Sequence, residues 1–447
     1  MLAAPVPPMP AHSLLVLLLQ VGTLGLLALL LGLLARRLGM PAIVGELCAG
    51  VLLGPSVLQR VAPDLSAWLL PHRPEPTHML DAVGQVGVLL LVGVTGTELD
   101  FRFLRRQRRT ALWVSGTGLA VPFGLGIAAG LLLPGALRAE HGDSAVFPLF
   151  VGVAMCVSAI PVIAKTLADM DLLHRNVGQL TLASGTIDDA FGWFMLSVVS
   201  AMAASGVTTG TIARSAGWLL VVVLFAALPG MPLARLTLRP LARLSDPMPV
   251  IAGTAVLVLL GAAATQAMGL ESVFGAFVAG IVIGSSGAVD LRRIAPLRTF
   301  TLAFLAPVYF ATAGLRIDLG ALARPVVLGS AAALLLIAVF GKFAGAYLGA
   351  RMGRLNRWEA LALGAGMNAR GVVEVIVAMV GLRLGVLNTA AYTVVVLIAI
   401  VTSVMAPWLL RVAMRHIEST AEEELRLVAR LDGDRPDDDV RRVRATG

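Results

Sequence analysis

The sequence predicts an all-α polytopic membrane protein of thirteen transmembrane helices, built from inverted five-helix repeats that include two discontinuous helices. Three observations carry that expectation. Apolar runs of about 20 residues, long enough to span a bilayer, recur along nearly the whole chain. Hydrophobic residues make up 57% of the 447 positions and charged residues only 14%, whereas soluble domains carry about 25% charged residues. The arginines fall between the apolar runs rather than along one face. A net charge of +8 distributed in this way encodes topology and argues against nucleic acid as a partner. The expected partner is the lipid bilayer.

Taken in order, the spans run at about 13–35, 41–59, 80–99, 110–133, 146–168, 177–203, 213–234, 248–268, 270–287, 299–316, 325–350, 358–382 and 389–413. The first has no basic residue before Leu14 and so lacks the charged start of a secretory signal; it reads as a retained helix. Cys48 and Cys156 both fall inside spans, which implies no disulfide framework.

Odd-numbered gaps hold Arg36 and Arg37; Arg102, Arg105, Arg106, Arg108 and Arg109; Arg175; Arg235, Arg239 and Arg243; Arg292, Arg293 and Arg298; and Arg351, Arg354 and Arg357. Even-numbered gaps hold only Arg60, Arg73, Arg138, Arg214, Arg316, Arg324 and Arg383. Under the positive-inside rule the odd gaps are cytoplasmic. The N-terminus is then outside and the C-terminus inside. Residues 414–447 form a short cytoplasmic tail, helical at first over Glu418 to Leu431 and largely disordered around Asp437–Asp439 and Arg441–Arg442. A tail of this length is too short for a nucleotide-binding regulatory domain, which takes about a hundred residues.

Two spans are interrupted in a matching way. The fifth carries Ser158-Ala159-Ile160-Pro161, and Pro161 removes a backbone donor. The twelfth carries Gly366-Met367-Asn368-Ala369-Arg370-Gly371. If spans 2–6 and 9–13 are two repeats, these interruptions correspond and run in opposite directions. Paired broken helices of this kind point to a transporter's binding site.

The charges inside the spans carry the chemistry. Asp188 and Asp189 are the only charged residues between Asn176 and Ala213. The chain has two lysines, and one of them, Lys342, stands alone between Arg324 and Arg351. Charges in hydrocarbon cost about 2.5–3.5 kcal/mol each on insertion scales, and they mark ion pathways by default. Two buried acids and a titratable amine are the parts of a proton-coupled cation site. A monovalent metal ion wants oxygen ligands, and proton coupling needs the same carboxylate to take a proton when the metal leaves. Adjacent helical residues point about 100° apart, so Asp188 and Asp189 cannot both face one ion. One is expected to bind, and the other to pair with Lys342.

Arg370 and Glu374 are spaced i,i+4. They read either as an intrahelical pair or, with Asn368, as braces for the broken backbone, with Glu374 beside the ion path. Ser158 either lends its hydroxyl to the ion or bonds its own helix. Glu46 and Glu271 sit near span ends and read as interfacial, and Lys165 is expected to snorkel.

Over residues 15–413 the chain resembles the cation:proton antiporter-2 family, which includes Kef-type potassium systems, bacterial sodium/proton antiporters and plant cation/proton exchangers. The resemblance rests on an ordered set of motifs: Pro41-Ala42-Ile43-Val44-Gly45-Glu46 through Gly54-Pro55-Ser56, Glu98-Leu99-Asp100, and Ser158-Ala159-Ile160-Pro161-Val162-Ile163-Ala164. It continues through Asp188-Asp189, Phe274-Gly275-Ala276-Phe277-Val278-Ala279-Gly280, Pro307-Val308-Tyr309-Phe310 with Gly314-Leu315, Gly341-Lys342, and Asn368-Ala369-Arg370-Gly371 with Glu374.

The resemblance implies the sodium/proton antiporter fold, with two crossed broken helices and elevator-type alternating access. It implies core helices at about 110–203 and 325–413, scaffold and dimerisation helices at about 13–99 and 248–316, and a linker at about 213–234. It implies a homodimer in the inner membrane that exchanges Na⁺ or K⁺ for H⁺, without a cofactor and without enzymatic activity. By motif match Asp189 is the cation and proton carrier, Asp188 its partner and Lys342 the lysine that pairs with an acid; Asp188 and Asp189 are the candidate ligands of the monovalent cation. The Asp-Asp pair resembles the electrogenic sodium exchangers, and the segments 307–315 and 368–374 resemble the plant exchangers. A sodium-coupled organic-solute carrier of the same fold and a Kef-type gated K⁺ efflux system are the alternatives. An intramembrane aspartyl protease needs its two acids on different helices, and here they are neighbours on one.

Overall fold

Several helices begin at a first-turn proline or at a capping asparagine. The computed structural model describes residues 10–70, 74–98, 108–139, 145–205 and 209–424; the Arg102–Arg106 cluster, Asp100 and the tail beyond 424 lie outside the described residues. Of the helical tail expected over 418–431, residues 421–424 form a turn of helix.

Apart from two short helices at Leu58–Val61 and Pro63–Leu69, the helices in chain order are α1 (Ala11–Arg37), α2 (Ala42–Leu53), α3 (Pro74–Thr97), α4 (Arg108–Leu132), α5 (Val146–Cys156), α6 (Ile160–Asp169) and α7 (Asn176–Ser205). They continue as α8 (Thr209–Phe225), α9 (Met231–Ala242), α10 (Met248–Ala267), α11 (Ser272–Ser286), α12 (Ala295–Phe300) and α13 (Ala306–Gly314). The last five are α14 (Pro325–Leu336), α15 (Lys342–Met352), α16 (Arg357–Met367), α17 (Val372–Arg383) and α18 (Thr389–Met414). Asn356 starts α16 with a capping box closed by Glu359, and Asn388 caps α18 through the Ala391 amide.

Helix stands at each of the thirteen expected spans. Among the described residues nine helices are long and apolar enough to cross a membrane, or ten if the bent pair α16–α17 is one span. The other three expected spans, at about 146–168, 270–287 and 299–316, fall on the pair α5–α6, the short apolar helix α11, and the helical stretch 295–314.

Wide π-type turns interrupt three stretches, and the sequence accounts for two of them. One contains Pro229 (Ala226–Gly230) and one sits just before Pro307 (Thr301–Leu305), because a proline lacks the N–H for the ordinary helical bond and crowds the preceding turn. Pro229 does not end its helix: the expected linker at 213–234 runs on through this turn to Ala242. The third turn, Ile337–Gly341, delivers Lys342.

The helices pack in two groups. In one, α1, α2, α3, α10, α11 and α13 contact one another; in the other, α4, α5, α7, α15, α16, α17 and α18 do. The groups meet where α7 touches α11 and where α13 touches α17. Close approach of small residues drives this packing in lipid. At the α2–α13 contact a Cβ on Gly50 would lie 2.0 Å from the Ala311 carbonyl oxygen, so only glycine fits there.

Both expected breaks are present. The first falls at residues 157–159, between α5 and α6. Pro161 does not lie in the gap but is the second residue of α6, where its missing N–H has no helical partner to lose. The second break falls at 368–371 and bends α16 against α17 by 43°. Gly371 there adopts φ 150° and ψ −100°, a conformation reserved for glycine. The two breaks touch, since the Ala159 amide donates to the Ala369 carbonyl at 3.2 Å.

Candidate functional site

A helix that ends in mid-membrane leaves its last carbonyls without partners. At the end of α5 two buried cations supply them. Arg370, from the second break, donates to the Ala154 carbonyl (2.9 Å) and to that of Met155, and reaches the Ala338 carbonyl in the α14–α15 turn (3.1 Å). Lys342 Nζ donates to the Cys156 carbonyl at 2.6 Å. Positive charge at a helix C-terminus is also favoured by the helix dipole. Ser403 on α18 donates to the Arg370 carbonyl and so ties the second break to a third helix.

Lys342 forms an ion pair with Asp188 Oδ2, and both side chains are fully buried. Ser158 Oγ, in the first break, lies 3.1 Å from the same oxygen and 2.9 Å from the Met367 carbonyl of the other broken helix. Asp188 Oδ1 accepts from Ser115 on α4. Both oxygens of Asp188 are therefore served by groups from α4, the first break and α15.

Asp189 is 1% exposed and points to a different side of α7. The Ile160 amide, at the start of α6, donates to its carboxylate, while its Oδ1 has no hydrogen-bond partner among the described residues. Free amides and the positive dipole end make the start of a helix a natural seat for an anion. Asn368 is fully buried, and neither amide atom has a hydrogen-bond partner among the described residues. Glu374 pairs with Arg370 at 3.3 Å through Oε1, and its Oε2 has no hydrogen-bond partner among the described residues. The site thus brings Ser158, Asp188, Asp189, Lys342, Asn368, Arg370 and Glu374 to the touching breaks; Pro161 is there by backbone position, and its side chain is outside the description.

Other charges settle differently. Glu46 and Glu271, read as interfacial from their positions near span ends, are 8% and 3% exposed. Glu271 is covered because Arg383 reaches across from α17 to pair with it at 2.6 Å. Lys165 is exposed. Sequence reasoning did not find Ser115. A serine in an apolar span carries no signal of its own, and only the packing of α4 against α7 shows what it meets.

Chemically, a carboxylate oxygen left open beside an acid whose two oxygens both have donors can take a proton or a desolvated cation in the same place. A buried lysine can gain or lose its proton where an arginine cannot.

Comparisons with known proteins bear on the family and the fold. A family model described as "Sodium/hydrogen exchanger, transmembrane" matches residues 25–416. The chain is 30% identical over 401 residues to the Na⁺/H⁺ antiporter NhaS4 of Synechocystis, covering 89% of this chain and 97% of that protein. It is 29% identical to cation/H⁺ antiporter 20 of Arabidopsis thaliana, covering 90% of this chain and 50% of the plant protein, so it spans about half that relative's length. Among solved structures, the sodium proton antiporter MjNhaP1 of Methanocaldococcus jannaschii superposes with a TM-score of 0.65, over 90% of this chain and 99% of that one. At 16% identity that likeness speaks to the fold, which is the sodium/proton antiporter fold. The chain is a multi-pass membrane protein and belongs to the sodium/hydrogen exchanger family.

Proposed function

We propose that this protein is a secondary active antiporter that exchanges a monovalent cation, Na⁺ or K⁺, for H⁺, with Asp189 as the shared carrier. The observation that carries the reading is the asymmetry of the adjacent acids. Asp188 is satisfied at both oxygens, by Ser115 on one side and by Ser158 and Lys342 on the other, whereas Asp189 keeps one oxygen open beside the start of α6. Proton and cation compete for that oxygen, and competition for one site is what couples two opposed fluxes.

The two helix groups suit elevator-type alternating access. In this reading α4–α7 and α14–α18 form the core, α1–α3 and α10–α13 the scaffold that carries a homodimer contact, and α8–α9 the link. The core carries the site past the scaffold. The arginine distribution supports an N-terminus outside and a cytoplasmic C-terminus in an inner membrane.

Reconstitution tests the reading. In vesicles with an imposed pH gradient and a pH-sensitive dye, addition of Na⁺, K⁺ or Li⁺ is expected to collapse the gradient without any organic solute, and the cation series sets ion preference. No cation-driven proton movement between pH 6 and 9 contradicts it. Movement that requires an organic solute makes the protein a solute carrier instead.

A further inference from the structure

We infer that Ser115 is a positioning residue of this site: its hydroxyl holds the Asp188 carboxylate in place as the anion partner of Lys342. This rests on the antiporter reading above. Ser115 is fully buried on α4, a helix with no charged residue between Thr110 and Leu132. Its Oγ reaches two acceptors, Asp188 Oδ1 and, at 2.9 Å, the Ser184 carbonyl. One hydroxyl proton serves one of them at a time. The Ser184 carbonyl lies inside α7, where the amide four residues on already serves it. Asp188 Oδ1 has no other hydrogen-bond donor among the described residues, because Lys342 and Ser158 both go to Oδ2. The charged and titratable groups facing this carboxylate are Lys342 from α15, Asp189 from α7 itself and the Cys156 thiol at the end of α5, with Arg370 beyond the thiol.

Ser115 therefore acts at a distance from the cation. Without its hydroxyl, Oδ1 is left as a buried acceptor with no donor among the described residues. The Asp188–Lys342 pair loosens, and the neighbouring site weakens with it.

The test combines exchange with melting. In vesicles, Ser115→Ala is expected to raise the KM for the preferred cation about threefold to tenfold, the size of one hydrogen bond, with little change in maximal rate. Ser115→Thr, which keeps the hydroxyl, is expected to recover the wild-type KM. In purified protein, Ser115→Ala is expected to lower the melting temperature in the wild-type background but not further in Asp188→Asn. An unchanged KM in Ser115→Ala overturns the inference. So do additive melting losses in the double variant, which place the hydroxyl on the Ser184 carbonyl alone. If the wild-type protein moves no protons with any cation, the antiporter reading fails, and the melting cycle still decides which acceptor Ser115 serves.

Discussion

The two buried ion pairs at the crossing are built around opposite partners. In one the carboxylate is the centre: Asp188 gathers Lys342, Ser158 and Ser115 from three other segments. In the other the guanidinium is the centre. Arg370 gathers the carbonyls of Ala154, Met155 and Ala338, and Glu374 is a 3.3 Å neighbour one helical turn along the chain, with its second oxygen unpartnered among the described residues. The sequence spacing of Arg370 and Glu374 suggests a local salt bridge. The structure shows that the bridge is the lesser part of what Arg370 does. A buried charge is judged by everything its partner also holds, not by the pair alone.

The largest effect expected from this contrast is at Arg370. Arg370→Met strands three carbonyls, each costing about 1–3 kcal/mol when buried and unpaired, and leaves Glu374 without its cation. No cooperatively melting protein is expected after detergent extraction. Glu374→Gln keeps the carbonyl contacts and is expected to cost only about 1 kcal/mol, read as a small fall in melting temperature. If the two variants melt alike, the guanidinium is not the hub.

Next in size is the Asp188–Lys342 pair. Removing one member of a buried pair costs about 3–5 kcal/mol because the other charge is stranded. Lys342→Ala and Asp188→Asn are each expected to melt well below wild type, and Asp188→Asn with Lys342→Gln to recover part of the loss. Near-additive losses in the double variant break the carboxylate-centred account.

A third carboxylate, on the cytoplasmic side in this topology, calibrates the comparison at its weak end. Glu423, in the tail, accepts from the Asn176 amide at the start of α7 (2.6 Å) and pairs with Arg175 at 3.2 Å. Arg175 also donates to the Ile417 and Glu418 carbonyls, both at 3.0 Å. Burial works against the Glu423 anion, but the Asn176 and Thr420 amides and Arg175 outweigh it and hold the carboxyl below its ordinary value of 4.5. A carboxyl whose folded value is depressed adds stability that is complete above its unfolded value and is lost as pH falls through the folded one. Glu423→Gln is therefore expected to flatten the acid limb of melting temperature against pH. The change should be about 1 kcal/mol or less, as for a pair near solvent. An unchanged acid limb means that the tail is not held through this carboxylate.

The broad architecture is legible in the sequence because bilayer physics writes it there. Apolar runs give the spans, and Gly371 and the 157–161 segment give the breaks. Asp188, Asp189 and Lys342 stand out because a charge in an apolar run has no cheap explanation. Less legible features depend on atoms that every residue shares, or on residues that are common in membranes. The acceptors of Arg370 are backbone carbonyls, which no sequence pattern marks. Ser115 is one of several serines in apolar spans. Glu423 belongs to a tail segment whose sequence suggests a short amphipathic helix, and only the fold brings it to the first turn of α7. Pro161 misleads by a few residues, because proline is as much a starter of helices as a breaker of them.

The central claim is that one carboxylate oxygen, on Asp189, is shared by proton and cation. Asp189→Asn keeps the shape of the side chain and removes the titratable charge, so the most direct measurement is cation-driven proton movement in vesicles carrying wild-type or Asp189→Asn protein at matched amounts. Wild-type vesicles are expected to lose their pH gradient on addition of the preferred cation, and Asp189→Asn vesicles to retain it at every pH from 6 to 9, with the variant still folded by its melting curve. Exchange at the wild-type rate by folded Asp189→Asn would contradict the account.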